Sequence, residues 1–509
     1  MSTSAPMPAF PPGAARALNA RVLDPATARP AARSTLKKGS LQPTAYVADS
    51  LLLHGSSADH AVTLRMMNAV GSELGLVLRE PDRSPEDPER PQTVRTALEP
   101  AEPAQDAVQP VIVDAWTLMQ HALERYPELE GKVFLNHIVS MTAPTYGSVD
   151  MWVYVGGISG HVGRGLSEYG PGFGGRTPLA YCGPDPRSLA AEVGENAPVV
   201  AILDTGIGVH PWFTDSHHTP LPGVLINPDL PGGKACAGFL PEEDPENTGV
   251  VSDRLNGALD NAAGHGTFVA GIVRQRCPQA SILAIPLLNS WGLCEEAQVI
   301  IALERLAAAR RAFNEEHQKN AYRVDVVNLS LGYYHESFDP FVPLDPANPF
   351  DPFDPNTPLA PVAPLVMALR GLTDLGIEIV AAAGNDATEA PFLPAALAPA
   401  FAAMSEHTQG TLHSVGALNP DGETVALFSN GGAWVHEYAP GAAVVSTVPV
   451  TLSGSAQRSV ASHDPVHQAH PVRATIDPDT HTSGFALWSG TSFAAPHVAG
   501  DLAATIVRG

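Results

Sequence analysis

The sequence predicts an α/β protein built mainly on a parallel sheet with helices on both faces. Glycine-bounded, β-branched apolar runs recur in the second half: APVVAILDTG, ASILAIPLL, VDVVNLSLG, GIEIVAAAGN and LHSVGAL. Continuous runs of this kind suit strands buried on both faces. Helical stretches lie between several of them, notably 295–313 and 362–375, and strands alternating with helices imply a parallel sheet. The composition is that of a globular chain, with 44% hydrophobic and 16% charged residues, and 509 residues favour two or three domains.

Taken in order, residues 1–44 are rich in Pro, Ala and Arg and read as a disordered lead-in without the basic and apolar regions of a secretory signal. From 45 to 157 the pattern changes. YVADSLLLHG reads as a strand, and a helix follows with Ser57 as its N-cap and Ala61, Leu64, Met67 and Val70 at helical spacing. GLVLRE reads as the next strand, and 81–108 as a Pro- and charge-rich loop. A second unit repeats the order: strand QPVIVD, helix AWTLMQHALERY, strand GKVFLNHIVSM, with VDMWVYVGG as an added edge strand. Two strand-helix-strand units predict a ferredoxin-like sandwich. Residues 158–197 are Gly- and Pro-rich and read as a linker, and 198–509 as the main domain.

With 29 basic against 53 acidic residues, the formal charge of −24 argues against nucleic acid and anionic membranes as partners. No stretch is apolar and long enough to span a bilayer. The four cysteines, Cys182, Cys236, Cys277 and Cys294, form no CxxC pair. Isolated reduced thiols in a cytoplasmic protein are therefore expected, with non-classical export as the alternative.

A serine hydroxyl reacts only if a base takes its proton, a second group holds that base, and donors meet the oxyanion. Candidates for all four roles stand at the edges of apolar segments: Asp204 in VVAILDTGIG, His265 in NAAGHGTFVAGIV, Asn385 in VAAAGND and Ser492 in SGTSFAAPHVAG. The C-terminal edge of a parallel sheet is where such folds place ligands. Small residues around Ser492 (Gly490, Ala494 and Ala495) let a substrate carbonyl approach, and Pro496 near the helix start forfeits a spare N–H.

The ordered motifs DTG, GHGTFVAG, AAGN and SGTSFAAPHVAG resemble those of the subtilisin-like serine peptidases over roughly 198–509. The resemblance implies a subtilisin-like sheet, Asp204, His265 and Ser492 as a catalytic triad, and Asn385 as an oxyanion donor. It also implies a polypeptide substrate bound on Ser330, Leu331 and Gly332, with Ala383 and Gly384 walling the pocket for the residue before the scissile bond. Asp386 at the far end of that pocket is expected either to favour basic or polar residues or to be a solvated loop carboxylate.

The insert 333–361, with repeated Asp-Pro and Phe, reads as a lid or a surface loop. The insert 453–482 carries His463, His467, His470 and His481 but reads as a solvated loop, since Pro465 and Pro471 oppose a helix. No metal and no cofactor are expected. The chain runs only seventeen residues past Ser492. The expectation is either that it is truncated or that the N-terminal region covers the exposed face. The expected activity is endopeptidase hydrolysis through an acyl-enzyme. Amine transfer, as in a macrocyclase, and a silent peptide-binding protein are the alternatives. Residues 45–157 are expected to be a propeptide-like domain contacting the peptidase domain, with cleavage within about 156–197, or a recruitment module.

Overall fold

The computed structural model describes residues 4–31, 41–81, 92–101, 111–141, 176–190, 197–215, 217, 219–251, 259–315, 320–337, 362–404, 408–453 and 480–508. The larger unit is a seven-stranded sheet. Its strands are β7 (Val199–Asp204), β8 (Val224–Ile226), β11 (Ser281–Pro286), β13 (Val324–Leu329), β15 (Glu378–Ala382), β17 (Leu412–Leu418) and β18 (Glu437–Pro440). They lie in the order β18-β17-β15-β13-β7-β11-β8 and all six ladders are parallel. A short ribbon, β9 (Asp229–Leu230) with β10 (Gly233–Lys234), leaves the sheet beside β8.

Alternation along each central strand feeds two cores. Ala201, Leu203, Leu283, Ile285, Val327 and Leu329 face one cluster, and Val200, Ile202, Ile282, Ala284 and Val326 face the other. This is why the strands read as unbroken apolar runs. Because β7 is followed by β11 on one side and β13 on the other, Asp204 ends the strand at which the sheet order reverses, the usual place for a ligand crevice.

The N-terminal unit contains α1 (Pro12–Ala17), β1 (Ala20–Leu23), β2 (Thr44–Gly55), α2 (Ser57–Gly71), β3 (Leu76–Leu78), β4 (Gln92–Pro100), α3 (Ala115–Arg125) and β5 (Val133–Met141). From β2 onward this is a βαββαβ chain with antiparallel order β5-β2-β4-β3, the ferredoxin-like arrangement. Three local expectations change.

The third strand lies at Gln92–Pro100, inside the stretch read as a loop, while 111–114 is irregular and Asp114 caps α3 by accepting from Thr117 N. Val94, Thr96 and Leu98 alternate inward, a period of two that the surrounding charges and prolines conceal. The α2 cap is Ser56 rather than Ser57, in a capping box with Asp59. Residues 12–23 are ordered as α1 and β1, because Ala14, Phe10 and Leu18 pack with Ala45, Ile138 and Leu293 and β1 pairs with β2.

The described part of the stretch read as a linker is also built in: β6 (Thr177–Leu179) joins β19 (Val444–Thr447) and β20 (Phe485–Trp488) in the order β19-β20-β6. The edge strand expected at 149–157, most of the insert 333–361, and His463, His467 and His470 lie outside the described residues. His481, in contrast, is fully buried.

β12 (Leu293–Glu295) and β14 (Leu331–Tyr334) both pair with β5, so the last strand of the N-terminal unit is inserted antiparallel between two strands of the larger one. β14's second edge pairs with β16 (Phe392–Leu393). Helix α4 (His265–Arg276) lies against β19 so closely that Ser446 Oγ donates to Phe268 O at 2.7 Å and Thr447 Oγ1 to Thr267 O at 2.8 Å. A side chain at Gly271 would collide with both hydroxyls. Gly271→Ala should therefore cost about 1–3 kcal/mol, as overpacking does, measured by urea denaturation of the full chain. An unchanged midpoint would contradict this packing.

Candidate active site

Asp204 closes β7 and is fully buried. Its Oδ1 accepts from Thr205 N at 2.8 Å and faces His265 Nδ1 at 2.7 Å. His265 opens α4, also fully buried. Gly264 takes φ +76°, and a Cβ at Gly266 would collide with Gly206 O, so the flanking glycines are required by close approach rather than by a flexible loop. The other ring nitrogen, Nε2, is buried and has no hydrogen-bond partner among the described residues. The ring stands 5.2 Å from that of Phe493 and edge-on to Trp488 at 5.5 Å.

Ser492 is fully buried in the first turn of α8 (Thr491–Arg508), the positive end of that helix. Its carbonyl accepts from Ser330 Oγ at 2.8 Å. Pro496 accounts for this contact. It sits in the helix interior, later than the sequence suggests, and lacks the N–H that would have bonded the carbonyl of Ser492. Asn385 turns its Oδ1 toward Thr491 N at 2.8 Å, and its buried Nδ2 has no partner among the described residues. Asp204 and His265 are thus hydrogen-bonded to each other, the His265 ring lies against Phe493 next to Ser492, and Asn385 bonds Thr491 on the other side of Ser492.

Leu331 and Gly332 lie in β14, where they pair with Met141 and Ser140 of β5. Ala383 and Gly384 follow β15. Asn430 Nδ2 donates to Ala383 O at 2.9 Å, and Gly384 N donates to Thr491 Oγ1 at 3.1 Å. Asp386 is not a solvated loop carboxylate: Tyr334 OH donates to its Oδ2 at 2.7 Å, and burial raises its pKa. Asn430, which no motif indicated, also accepts from Asp386 N and Thr388 N at 2.9 and 3.2 Å.

A second buried carboxylate was missed as well. Glu246 Oε1 accepts from Gly266 N at 3.0 Å, from Thr267 N at 3.3 Å and from Thr205 Oγ1; Oε2 accepts from Thr267 Oγ1 at 2.5 Å. It caps the helix that His265 opens, a task no side chain at the N-cap performs. Burial pushes its carboxyl up to about 8, against the pull of the Thr205 and Thr267 hydroxyls.

The family model described as "Subtilase family" matches residues 195–507. The extracellular basic protease of Dichelobacter nodosus is 35% identical over 134 residues, 26% of this chain and 16% of that protein. Subtilisin-like protease 12 of Arthroderma gypseum is 26% identical over 241 residues, 47% of this chain and 42% of that protein, so this chain spans less than half the length of either relative. Among solved structures, a cold adapted subtilisin-like serine proteinase is 19% identical over 65% of this chain and 82% of its own, with a TM-score of 0.34. A lanthipeptide protease is 20% identical over 61% and 72%, also at 0.34.

A carboxyl whose pKa rises on folding favours the folded state while protonated. Glu246 should thus withdraw stability as pH climbs from about 4.5 toward about 8. Melting temperatures of the Glu246→Gln protein should fall less steeply over that range than those of the parent chain. Parallel profiles would mean that Glu246 does not titrate there.

Proposed function

Because this chain belongs to the subtilase family, we propose that it is a serine endopeptidase that cuts peptide bonds through an acyl-enzyme on Ser492. The observation that carries the reading is His265, with Nδ1 against Asp204 at 2.7 Å and, on the other side, a buried Nε2 that has no partner among the described residues. In the proposed reaction Nε2 takes the Ser492 proton as Oγ attacks the substrate carbonyl, and later returns it to the leaving amine. Asp204 accepts the Nδ1–H throughout, holding the tautomer and offsetting the imidazolium charge. Asn385 Nδ2 and the Ser492 N–H at the head of α8 meet the oxyanion. The oxygen of Asn385 is tied to Thr491, which supports a preset donor direction. Ser330 to Gly332 and Ala383 to Gly384 would flank the substrate, with Asp386 and its Tyr334 partner at the pocket's far end.

We further infer that residues 45–157 act as a propeptide-like inhibitory domain rather than as a recruitment module. What supports this is the place of β5, inserted between β12 and β14 where an extended substrate would add a strand. No helix among the described residues is long and apolar enough to cross a membrane. All four cysteines are free thiols, which fits the cytoplasmic setting we propose.

The docked strand carries His137, buried between two carboxylates of the larger unit. Its Nδ1 faces Glu296 Oε2 at 2.6 Å and its Nε2 faces Glu336 Oε2 at 2.7 Å. Tyr333 stacks on the ring at 4.7 Å and donates to Glu296 Oε1; His335 lies 4.8 Å away, and Tyr46 is its neighbour on β2. Burial opposes the charge on His137, but Glu336 and Glu296 outweigh it and hold the pKa at about 10. Burial likewise opposes the charge on Glu336, but His335 and His137 bring its pKa down to about 2.

Docking should therefore be strongest between about 4.5 and 6.5, weaken as pH rises toward 10 and His137 loses its proton, and weaken again as pH falls toward 2. Limited proteolysis of the N-terminal unit across pH reads this directly. His137→Gln should remove the alkaline weakening, and an unaltered pH profile would sink the inference.

Fluorophosphonate labelling should mark Ser492 and disappear in Ser492→Ala; an unlabelled parent protein at every pH would overturn the peptidase reading. Asn385→Ala should lower kcat by roughly 10²–10³, a magnitude taken from a relative in this family rather than derived from this chain.

A further inference from the structure

Arg176 belongs to the stretch that composition marks as a linker, yet it is only 5% exposed. Its guanidinium donates three hydrogen bonds, all into the turn that leads to His265. Nη1 reaches Asn261 O at 3.0 Å and Ala263 O at 2.6 Å, and Nη2 reaches Asp260 O at 2.7 Å. The same group lies 4.7 Å over the ring of Trp488. That ring in turn meets His265 edge-on at 5.5 Å and Phe493 at 5.0 Å. β6 begins at the next residue and pairs with β20, so the arginine is anchored on the strand that ends at Trp488.

Buried carbonyls need donors, and a planar fork that also stacks on an aromatic ring is a task lysine does not perform. Burial lowers the Arg176 pKa to about 10, with Asp260 and Glu246 opposing, so the cation persists at neutral pH.

We propose that Arg176 is a positioning residue for His265 and that it belongs to the working peptidase, so that the active form begins at or before Arg176 however the N-terminal domain is released. The proposal rests on the peptidase reading above. His265 has no side-chain cap at Gly264, so its placement depends on Glu246 from one side and on the turn at 260–263 from the other. Within that turn Ala263 N donates to Asp260 O at 3.1 Å and His265 N to Ala262 O at 3.0 Å. Arg176 joins both ends of it. Without the guanidinium three carbonyls lose a donor, Trp488 loses the cation above it, and both changes act on the imidazole. A displacement of ~1 Å at such a group costs on the order of 10²-fold in rate.

The test uses the full chain. The Nδ1–H proton resonance of His265, assigned by its loss in His265→Ala, reports ring placement without any need for turnover. Arg176→Gln should shift or broaden that resonance, lower kcat and the rate of Ser492 labelling by about 10²-fold, and change KM little. Arg176→Lys should fall between, and ethylguanidine should restore part of the activity of Arg176→Ala. Where Arg176→Gln does not fold, the lysine variant decides on the same readouts.

An unshifted resonance with the parent labelling rate would overturn the proposal. So would N-terminal sequencing of an active, processed chain that starts beyond Arg176. If the parent protein is never labelled at Ser492, the peptidase reading falls while the resonance still decides the role of Arg176.

Discussion

The hydrogen bond between Asp204 and His265 is formed where neither side chain touches water, and much of the surrounding structure follows from that constraint. A buried carboxyl group is tolerated when it is hydrogen-bonded and its partner is fixed. Here Thr205 N and the imidazole share Oδ1, and Glu246 binds Thr205 and the first turn of α4. Two acids therefore stand close together behind one histidine. Keeping both there is a cost in stability that the two apolar cores on the sheet must offset. The glycines around His265 follow from the same requirement, since α4 must approach β7 nearly backbone to backbone.

Strand pairing ties the N-terminal unit to the larger one. With β5 seated between β12 and β14, the facing edge of each of these strands is already paired. The seat is polar as well as apolar. Asn136 donates to Glu295 Oε2 at 2.7 Å and accepts from Ala297 N at 3.1 Å, and His137 lies between Glu296 and Glu336. Buried charges of this sort give a specific register but no assured affinity, because each group was hydrated before docking. An interface built on them depends on protonation in a way an apolar one would not.

Much of this was legible in the sequence, and what was hidden was hidden for physical reasons. The parallel strands declared themselves because residues buried on both faces leave an unbroken apolar run. The four site residues stood out because each sits at the end of such a run among small residues. β4 did not, since Arg95, Glu99 and the nearby prolines dilute the alternation of Val94, Thr96 and Leu98. Glu246, Asn430 and Arg176 carried no local signal at all. Each works by bonding backbone that is distant in sequence, and a lone Glu, Asn or Arg in a loop looks the same whether or not such backbone comes to it.

Composition therefore divides this chain differently from the contacts it makes. The Pro- and Ala-rich segment before residue 24 packs against β2 and β5, so it belongs with the ferredoxin-like unit. The Gly- and Pro-rich segment that ends in β6 belongs with the larger one, because Arg176 and β6 pair with the turn before His265 and with β20. Glycine and proline mark where the backbone turns, but turning backbone can still be enclosed. What separates a removable part from a permanent one is the kind of contact. If the N-terminal unit is released as proposed, β5 leaves a cleft open to substrate, whereas losing Arg176 would strip the donors from the turn that holds His265.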